Sequence, residues 1–126
     1  MTHQQQAEQF RAIMSQPSGL FQPDVLRTQL ILILEEVEEL VEAHHESIDY
    51  ITNLRARAHT LKELADVVYV AYQYAASAGW DLDEALDRVH ESNLSKLDDD
   101  LKPIKREDGK VIKGPNYKPP TLIDLV

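Results

Sequence analysis

The sequence predicts an all-α protein: a four- to five-helix bundle with an irregular, basic C-terminal tail. Three observations carry this reading. Apolar residues recur at the 3.6-residue helical spacing through most of the first 97 positions. Capping residues and breakers punctuate those stretches. No strand pattern longer than residues 110–113 occurs, and no repeat of 20–50 residues is visible.

Taken in order, residues 3–15 form a first helix with Ala7, Phe10, Ile13 and Met14 on one face. Residues 16–23, with two prolines and a glycine, make a loop. Asp24 caps a long helix whose stripe is Leu26, Leu30, Ile33, Leu34, Val37, Leu40 and Val41, running to about His45. Residues 48–58 read either as a short helix or as a mixed connector. Thr60 then caps a helix through Ala78, with Glu63 in the capping-box position and Leu64, Val67, Val68, Ala71 and Ala75 inward. Gly79 ends it, and Asp81 starts a last helix with Leu82, Ala85, Leu86 and Val89 inward, ending near Leu97. The valines and tyrosines of 60–78 carry strand propensity, but the length and period of that segment outweigh it.

The 126 residues and 14.4 kDa fit one domain, a helical body at 1–97 and an aperiodic tail at 98–126. The longest apolar run, residues 30–34, is far short of the roughly 20 residues of a membrane span. The N-terminus lacks the basic start and apolar core of a signal peptide. No cysteine is present, which removes disulfides, thiolate catalysis and Cys-type zinc sites and points to a cytoplasmic protein. A net charge of −9 argues against non-specific nucleic-acid or anionic-membrane binding. The charge is uneven: residues 1–95 hold 6 basic and 16 acidic side chains, residues 96–126 hold 7 and 6. An acidic body with a basic-enriched tail suits a site that holds cations and anions together, and is equally a common solubility pattern.

Two acidic clusters carry the chemistry. Glu35, Glu36, Glu38 and Glu39 lie on the long helix, Glu63 and Asp66 on the helix of 60–78. At 100° per residue, with Val37 as the stripe centre, Glu36 lies at about −100° and Glu39 at about −160°. With Leu64 as centre, Glu63 and Asp66 take the same angles, about −100° and −160°. An antiparallel pair brings those flanks together at the rim of the core. Four converging carboxylates repel unless a cation sits among them, and all-oxygen ligation suits Mg²⁺, Mn²⁺ or Ca²⁺. A single Glu run is ordinarily a solvated face, and the matched pair on the second helix is what lifts this one above that reading. A di-iron alternative uses Glu42-x-x-His45 and Asp87-x-x-His90, but Glu42 points away from the stripe. His44, His45 and His59 read as surface residues near helix ends.

Glu35-Glu36-x-x-Glu39, followed 23 residues later by Glu63-x-x-Asp66, resembles the signature of the all-α nucleoside triphosphate pyrophosphohydrolases. That superfamily includes MazG-type enzymes, dimeric dUTPases, dCTP pyrophosphatases and phosphoribosyl-ATP pyrophosphohydrolases. A second block, His90-Glu-Ser-Asn93-Leu-Ser-Lys96 with Lys105-Arg106-Glu-Asp-Gly109-Lys110-Val-Ile-Lys113-Gly114-Pro115-Asn116-Tyr117, resembles the C-terminal block of small MazG-like and phosphoribosyl-ATP-pyrophosphohydrolase-like proteins. The likeness spans about residues 10–122. It departs at Asp98-Asp-Asp-Leu101, where a glycine is expected before Lys102-Pro103.

The resemblance implies that Glu36, Glu39, Glu63 and Asp66 bind two or three Mg²⁺ ions, with Mn²⁺ able to substitute. It implies that Glu35 orients or deprotonates the attacking water. Glu38, on the opposite flank, reads as solvated. The reaction implied is hydrolysis of a nucleoside triphosphate to monophosphate and pyrophosphate, with a lean toward a deoxynucleotide such as dGTP. Candidate phosphate donors are Asn93, Lys96, Lys110 and Lys113, then Arg106, with Gly109 and Gly114 letting the tail turn close to a ligand and close over bound triphosphate; the alternative for this tail is a solvated, flexible terminus. Candidates for the base or sugar are Phe21, Gln29, Leu32, Trp80 and Tyr117, with Phe10 and Gln22 also eligible. The helix of 60–78 is apolar nearly all round, which predicts a homo-oligomer: a dimer at least, and by resemblance a tetramer. The competing class is a non-catalytic helical oligomerisation or regulatory module that retains the acidic pattern.

Overall fold

A computed structural model describes all 126 residues. The fold is all-α: α1 (His3–Ile13), α2 (Pro23–Asp49), α3 (Leu54–Ala78) and α4 (Leu82–Leu94) account for most of the chain. A small hairpin, β1 (Ile104–Lys105) and β2 (Val111–Ile112), and a 3₁₀ turn at Ile123–Leu125 complete it. The chain divides into two compact units, Met1–Trp80 and Asp81–Val126, so α4 groups with the C-terminal segment.

In the first unit, Thr2 and Gln5 form a reciprocal capping box on α1. The buried face of α1 is Gln4, Ala7 and Arg11, whereas Ile13 and Met14 of the expected face are exposed. Arg11 explains the rotation. Only 1% exposed, it donates from Nε to the Pro17 carbonyl at 2.8 Å and from its guanidinium to Gln73 Oε1 at 3.4 Å. Burial pushes its pKa down. The loop that Arg11 holds is stitched to the end of α3, Gly19 N–H to the Ala76 carbonyl and Leu20 N–H to that of Ser77.

Pro23 occupies the first turn of α2, where its missing N–H costs nothing, with Gln22 in the cap position. Asp24 is therefore not the cap; it lies in the first turn, a favourable place for a negative charge. The helix runs on to Asp49 and leaves only residues 50–53 as a connector. Asn53 caps α3, its Oδ1 accepting from the Arg55 and Ala56 N–H groups at 3.0 and 3.3 Å. Thr60 is thus two turns inside α3 and caps nothing. Its hydroxyl lies 3.1 Å from the Ala56 carbonyl and 3.0 Å from that of Ala43, so it ties α3 to α2.

The faces that α2 and α3 turn toward each other differ by one residue from the apolar stripes. On α2 the covered positions are Leu26, Gln29, Ile33, Glu36, Leu40 and Ala43; on α3 they are Ala56, Thr60, Glu63, Val67, Val70, Gln73 and Ser77. Leu30, Leu34, Val37 and Val41 of α2, with Leu61, Leu64 and Val68 of α3, are 39–68% exposed. One residue is 100° of helix, and in an antiparallel pair equal rotations turn both helices to the same side. The seven exposed side chains therefore form one apolar face of the helix pair.

In the second unit, Asp81 caps α4 as the sequence predicts, accepting from Glu84 N–H at 3.0 Å. The segment after α4 is built rather than irregular. β1 and β2 pair antiparallel, with Ile104 opposite Ile112. Gly109 makes the hairpin turn at φ 85°, and a Cβ on Gly114 would lie 2.4 Å from the Lys96 carbonyl oxygen. Both glycines thus serve chain geometry. Ser92 donates to the Lys118 carbonyl at 2.7 Å, and Lys118 N–H to Ser95 Oγ at 2.9 Å, strapping the segment to α4.

The residue standing where a glycine was expected, Leu101, has φ 59° and is 78% exposed. Asp98 closes the turn, its Oδ1 accepting from Asp100 and Lys102 N–H at 2.9 Å. A left-handed leucine carries a steric cost that glycine does not, and little packing is lost with this side chain. Leu101→Gly is expected to stabilise the protein by about 1 kcal/mol after the entropic cost of glycine, measured by denaturant unfolding.

Arg88 ties the chain end to α4. It reaches Glu84 at 2.8 Å, and Asp124 through two bonds of 2.6 and 3.0 Å. The guanidinium holds the Asp124 carboxyl below its ordinary 3.8. A depressed carboxyl contributes stability that is fully present above its unfolded value and lost as pH falls through the folded one. Asp124→Asn should therefore lower the thermal midpoint at pH 7, and the gap from wild type should close as pH drops below 3.8, read by circular dichroism.

Candidate metal and catalytic site

Ligand atoms of Glu36, Glu39 and Glu63 lie within 4.8 Å of one another between α2 and α3. Glu63 is 4% exposed and Glu36 half-buried; Glu39 is exposed at the rim. The expected placement on the flank of the core is corrected here. Glu36 and Glu63 sit in the covered faces of the helix pair, because that pair closes on the stripes one residue before the apolar ones. Glu39, three residues on, opens to the side opposite the apolar face.

Glu36 Oε2 and Glu63 Oε2 are buried with no hydrogen-bond partner. Buried carboxylate oxygens are ordinarily paired, so two orphans in one cluster mark a place that a cation would fill. Repulsion has a second signature: the Glu36 charge, then a hydrogen bond to Glu36, burial and Glu63 push the Glu39 carboxyl above the usual carboxylate range. All-oxygen donors in this number fit a hard divalent cation.

Asp66, the fourth expected ligand, is turned to Lys62, whose Nζ is 2.7 Å from Asp66 Oδ2 and 3.3 Å from Glu63 Oε1. Asp66 and then Glu63 hold the Lys62 ammonium above its ordinary pKa. Glu35 and Glu38 are exposed on α2. His59, read from sequence as a surface residue, belongs to the site: Nε2 is 3.0 Å from Glu63 Oε1 and Nδ1 3.7 Å from Glu46 Oε2. The misplaced helix start at Thr60 hid it. With α3 beginning at Leu54, His59 and Glu63 are an i, i+4 pair.

Of the base candidates, Gln29 is buried on the same face of α2 as Glu36, about 10 Å along the axis, and Leu32 is one turn, about 6 Å, from it. Phe21 and Trp80 contact each other, ring centroids 5.9 Å apart, with Tyr74 6.0 Å from Trp80. They cap the far end of the helix pair, about 20 Å from the carboxylates. The fold does not bring them to the cluster. Phe10 is half-buried edge-on against Tyr69.

The phosphate candidates all lie in the second unit. Asn93 is exposed and Lys96 half-buried at the end of α4. Arg106 is engaged by Asp108 at 2.5 and 3.0 Å, Lys113 lies 4.7 Å over the Tyr117 ring, and Lys110 is exposed in the hairpin. Glu42 and His45 of the di-iron alternative are exposed, as are Asp87 and His90, and neither pair joins a ligand cluster.

The structure is thus an all-α fold whose two longest helices bring carboxylates together at a candidate cation site. The family model for phosphoribosyl-ATP pyrophosphohydrolase matches residues 7–93, from α1 to the end of α4. The chain belongs to that family, within the MazG-like all-α nucleoside triphosphate pyrophosphohydrolase superfamily, and its class of activity is pyrophosphohydrolysis of a nucleotide. No curated protein matches the chain. No helix is long and apolar enough to cross a membrane.

Proposed function

We propose that the protein is a Mg²⁺-dependent (deoxy)nucleoside triphosphate pyrophosphohydrolase that releases nucleoside monophosphate and pyrophosphate, with Mn²⁺ able to replace Mg²⁺. The observation that carries the proposal is the pair of buried, unpartnered oxygens on Glu36 and Glu63. Glu36, Glu39, Glu63 and Asp66 would hold the ions, Asp66 after giving up Lys62. Bound divalent ions supply charge neutralisation on phosphate oxygens and lower the pKa of a coordinated water. Glu35 would orient the attacking water and take its proton. The water attacks the α-phosphorus, the α–β bridging bond breaks, and pyrophosphate leaves. Asn93, Lys96, Lys110 and Lys113 are the proposed phosphate donors. Arg106 is a weaker candidate, because Asp108 already uses its guanidinium. Gln29 and Leu32 are the base or sugar contacts best supported by their place on α2. The exposed apolar face supports assembly as a dimer or larger.

The test is a panel of the eight common nucleoside triphosphates plus dUTP, assayed with Mg²⁺ and with chelator. A deoxynucleotide such as dGTP is the expected best substrate. The expected products are monophosphate and pyrophosphate, with inorganic phosphate only after pyrophosphatase is added. Phosphoribosyl-ATP is the second reading, favoured by the family match, and belongs in the same panel. Absence of turnover on every member would overturn the proposal.

A further inference from the structure

We infer that His59 is a positioning residue for the cation site: it fixes the Glu63 carboxylate at Oε1, so that Oε2 stays buried and free among the clustered carboxylates. The inference rests on the metal-site reading above. Glu63 Oε1 has two cationic or polar neighbours from its own helix, His59 Nε2 at 3.0 Å and Lys62 Nζ at 3.3 Å. Glu63 Oε2 has none. A carboxylate is a planar fork, so whatever holds one oxygen sets the direction of the other.

The two holders are not equivalent. Both side chains are half-exposed or more, 62% for Lys62 and 50% for His59, but Lys62 sits on a flexible stem and is shared with Asp66, the other residue that a cation would recruit. His59 is fixed from both helices. Its ring bonds Glu63 on α3, and its Nδ1 lies in ion-pair range of Glu46 on α2. The next residue, Thr60, bonds the Ala43 carbonyl across the same helix pair. Glu46, His59 and Glu63 therefore make a carboxylate–imidazole–carboxylate line that ends on a candidate ligand. Partners that orient metal-binding carboxylates in this way typically change metal affinity about 10- to 100-fold when removed.

Calorimetric titration of the full chain with Mn²⁺, without nucleotide, tests this. His59→Ala and His59→Asn should weaken Mn²⁺ binding about 10-fold or more, whereas His59→Gln should recover most of it. The contrast is chemical: a glutamine amide nitrogen reaches about as far as Nε2, an asparagine nitrogen only as far as Nδ1. Thermal midpoints without metal separate this role from loss of packing, and if His59→Ala fails to fold, the Asn–Gln contrast still decides. Wild-type Mn²⁺ affinity in His59→Ala, or equal weakening in the Asn and Gln variants, would overturn the inference and leave the metal reading standing. No Mn²⁺ uptake by the wild type would overturn both.

Discussion

Glu63→Gln is expected to abolish nucleotide hydrolysis while leaving the helices intact, and Glu36→Gln should do the same. Glutamine keeps the volume of the side chain and an oxygen for its neighbours. It removes one negative charge from the cluster and turns an acceptor into an N–H₂ donor facing the place of the cation. In a site whose work is charge neutralisation by ligated ions, the expected loss is at least about 10³-fold in kcat/KM, or about 4 kcal/mol of transition-state stabilisation. Asp66→Asn should follow the same direction.

Stability moves the other way. In the metal-free protein the carboxylates repel, which is why Glu39 titrates high, first through the charge of Glu36. Removing a charge relieves that repulsion, so the metal-free thermal midpoint of Glu63→Gln should equal or exceed that of wild type. The rise that Mg²⁺ gives wild type should vanish. Glu38→Gln, an exposed change outside the cluster, is the control and should match wild type in both respects. Full activity in Glu36→Gln and Glu63→Gln would remove the metal-site assignment.

The helices were legible in the sequence because their punctuation is local. Gly79 and Asp81 act where the sequence puts them, since a cap needs only its own few residues. The start of α3 was missed because two candidate caps compete: Asn53 bonds the free N–H groups, while Thr60 spends its hydroxyl on carbonyls. That seven-residue difference concealed His59. Three of the four carboxylates expected together share one cluster, while Asp66 turns to Lys62, and the orientation of the cluster was not legible. An apolar stripe says that something covers it without saying what, and here α2 and α3 meet on mixed faces containing Gln29, Glu36, Glu63 and Gln73. The tail's hairpin depends on contacts between its own turns and α4 that no periodicity announces.

The apolar face left over leads to the last expected result: the protein should sediment as a dimer or larger, and Val68→Glu should drive it toward a 14.4 kDa monomer. Leu30, Leu34, Val37 and Val41 on α2 lie beside Leu61, Leu64 and Val68 on α3, seven exposed aliphatic side chains on one side of the helix pair. A groove of about 400 Å³ between α1 and α3, lined by Leu61, Leu64, Val68, Tyr69 and Tyr72, continues that face. Monomeric proteins rarely leave so contiguous an apolar area in water. The carboxylate cluster opens to the other side, so a second copy seated on the face would leave ligands free to enter. Val68 is 47% exposed and distant from the carboxylates in role, so a charge there should be tolerated by the isolated chain. Buried without a partner at an interface, that charge should cost about 3–5 kcal/mol and weaken association on the order of 10²–10³-fold. Leu34→Glu, on the neighbouring helix of the same face, should act alike if one interface covers both stripes. If the assembly is a tetramer built from two kinds of contact, one of the two substitutions should stop at a dimer. A wild-type chain that sediments as a monomer at micromolar concentration, or a Val68→Glu variant that assembles as wild type does, would refute this interface.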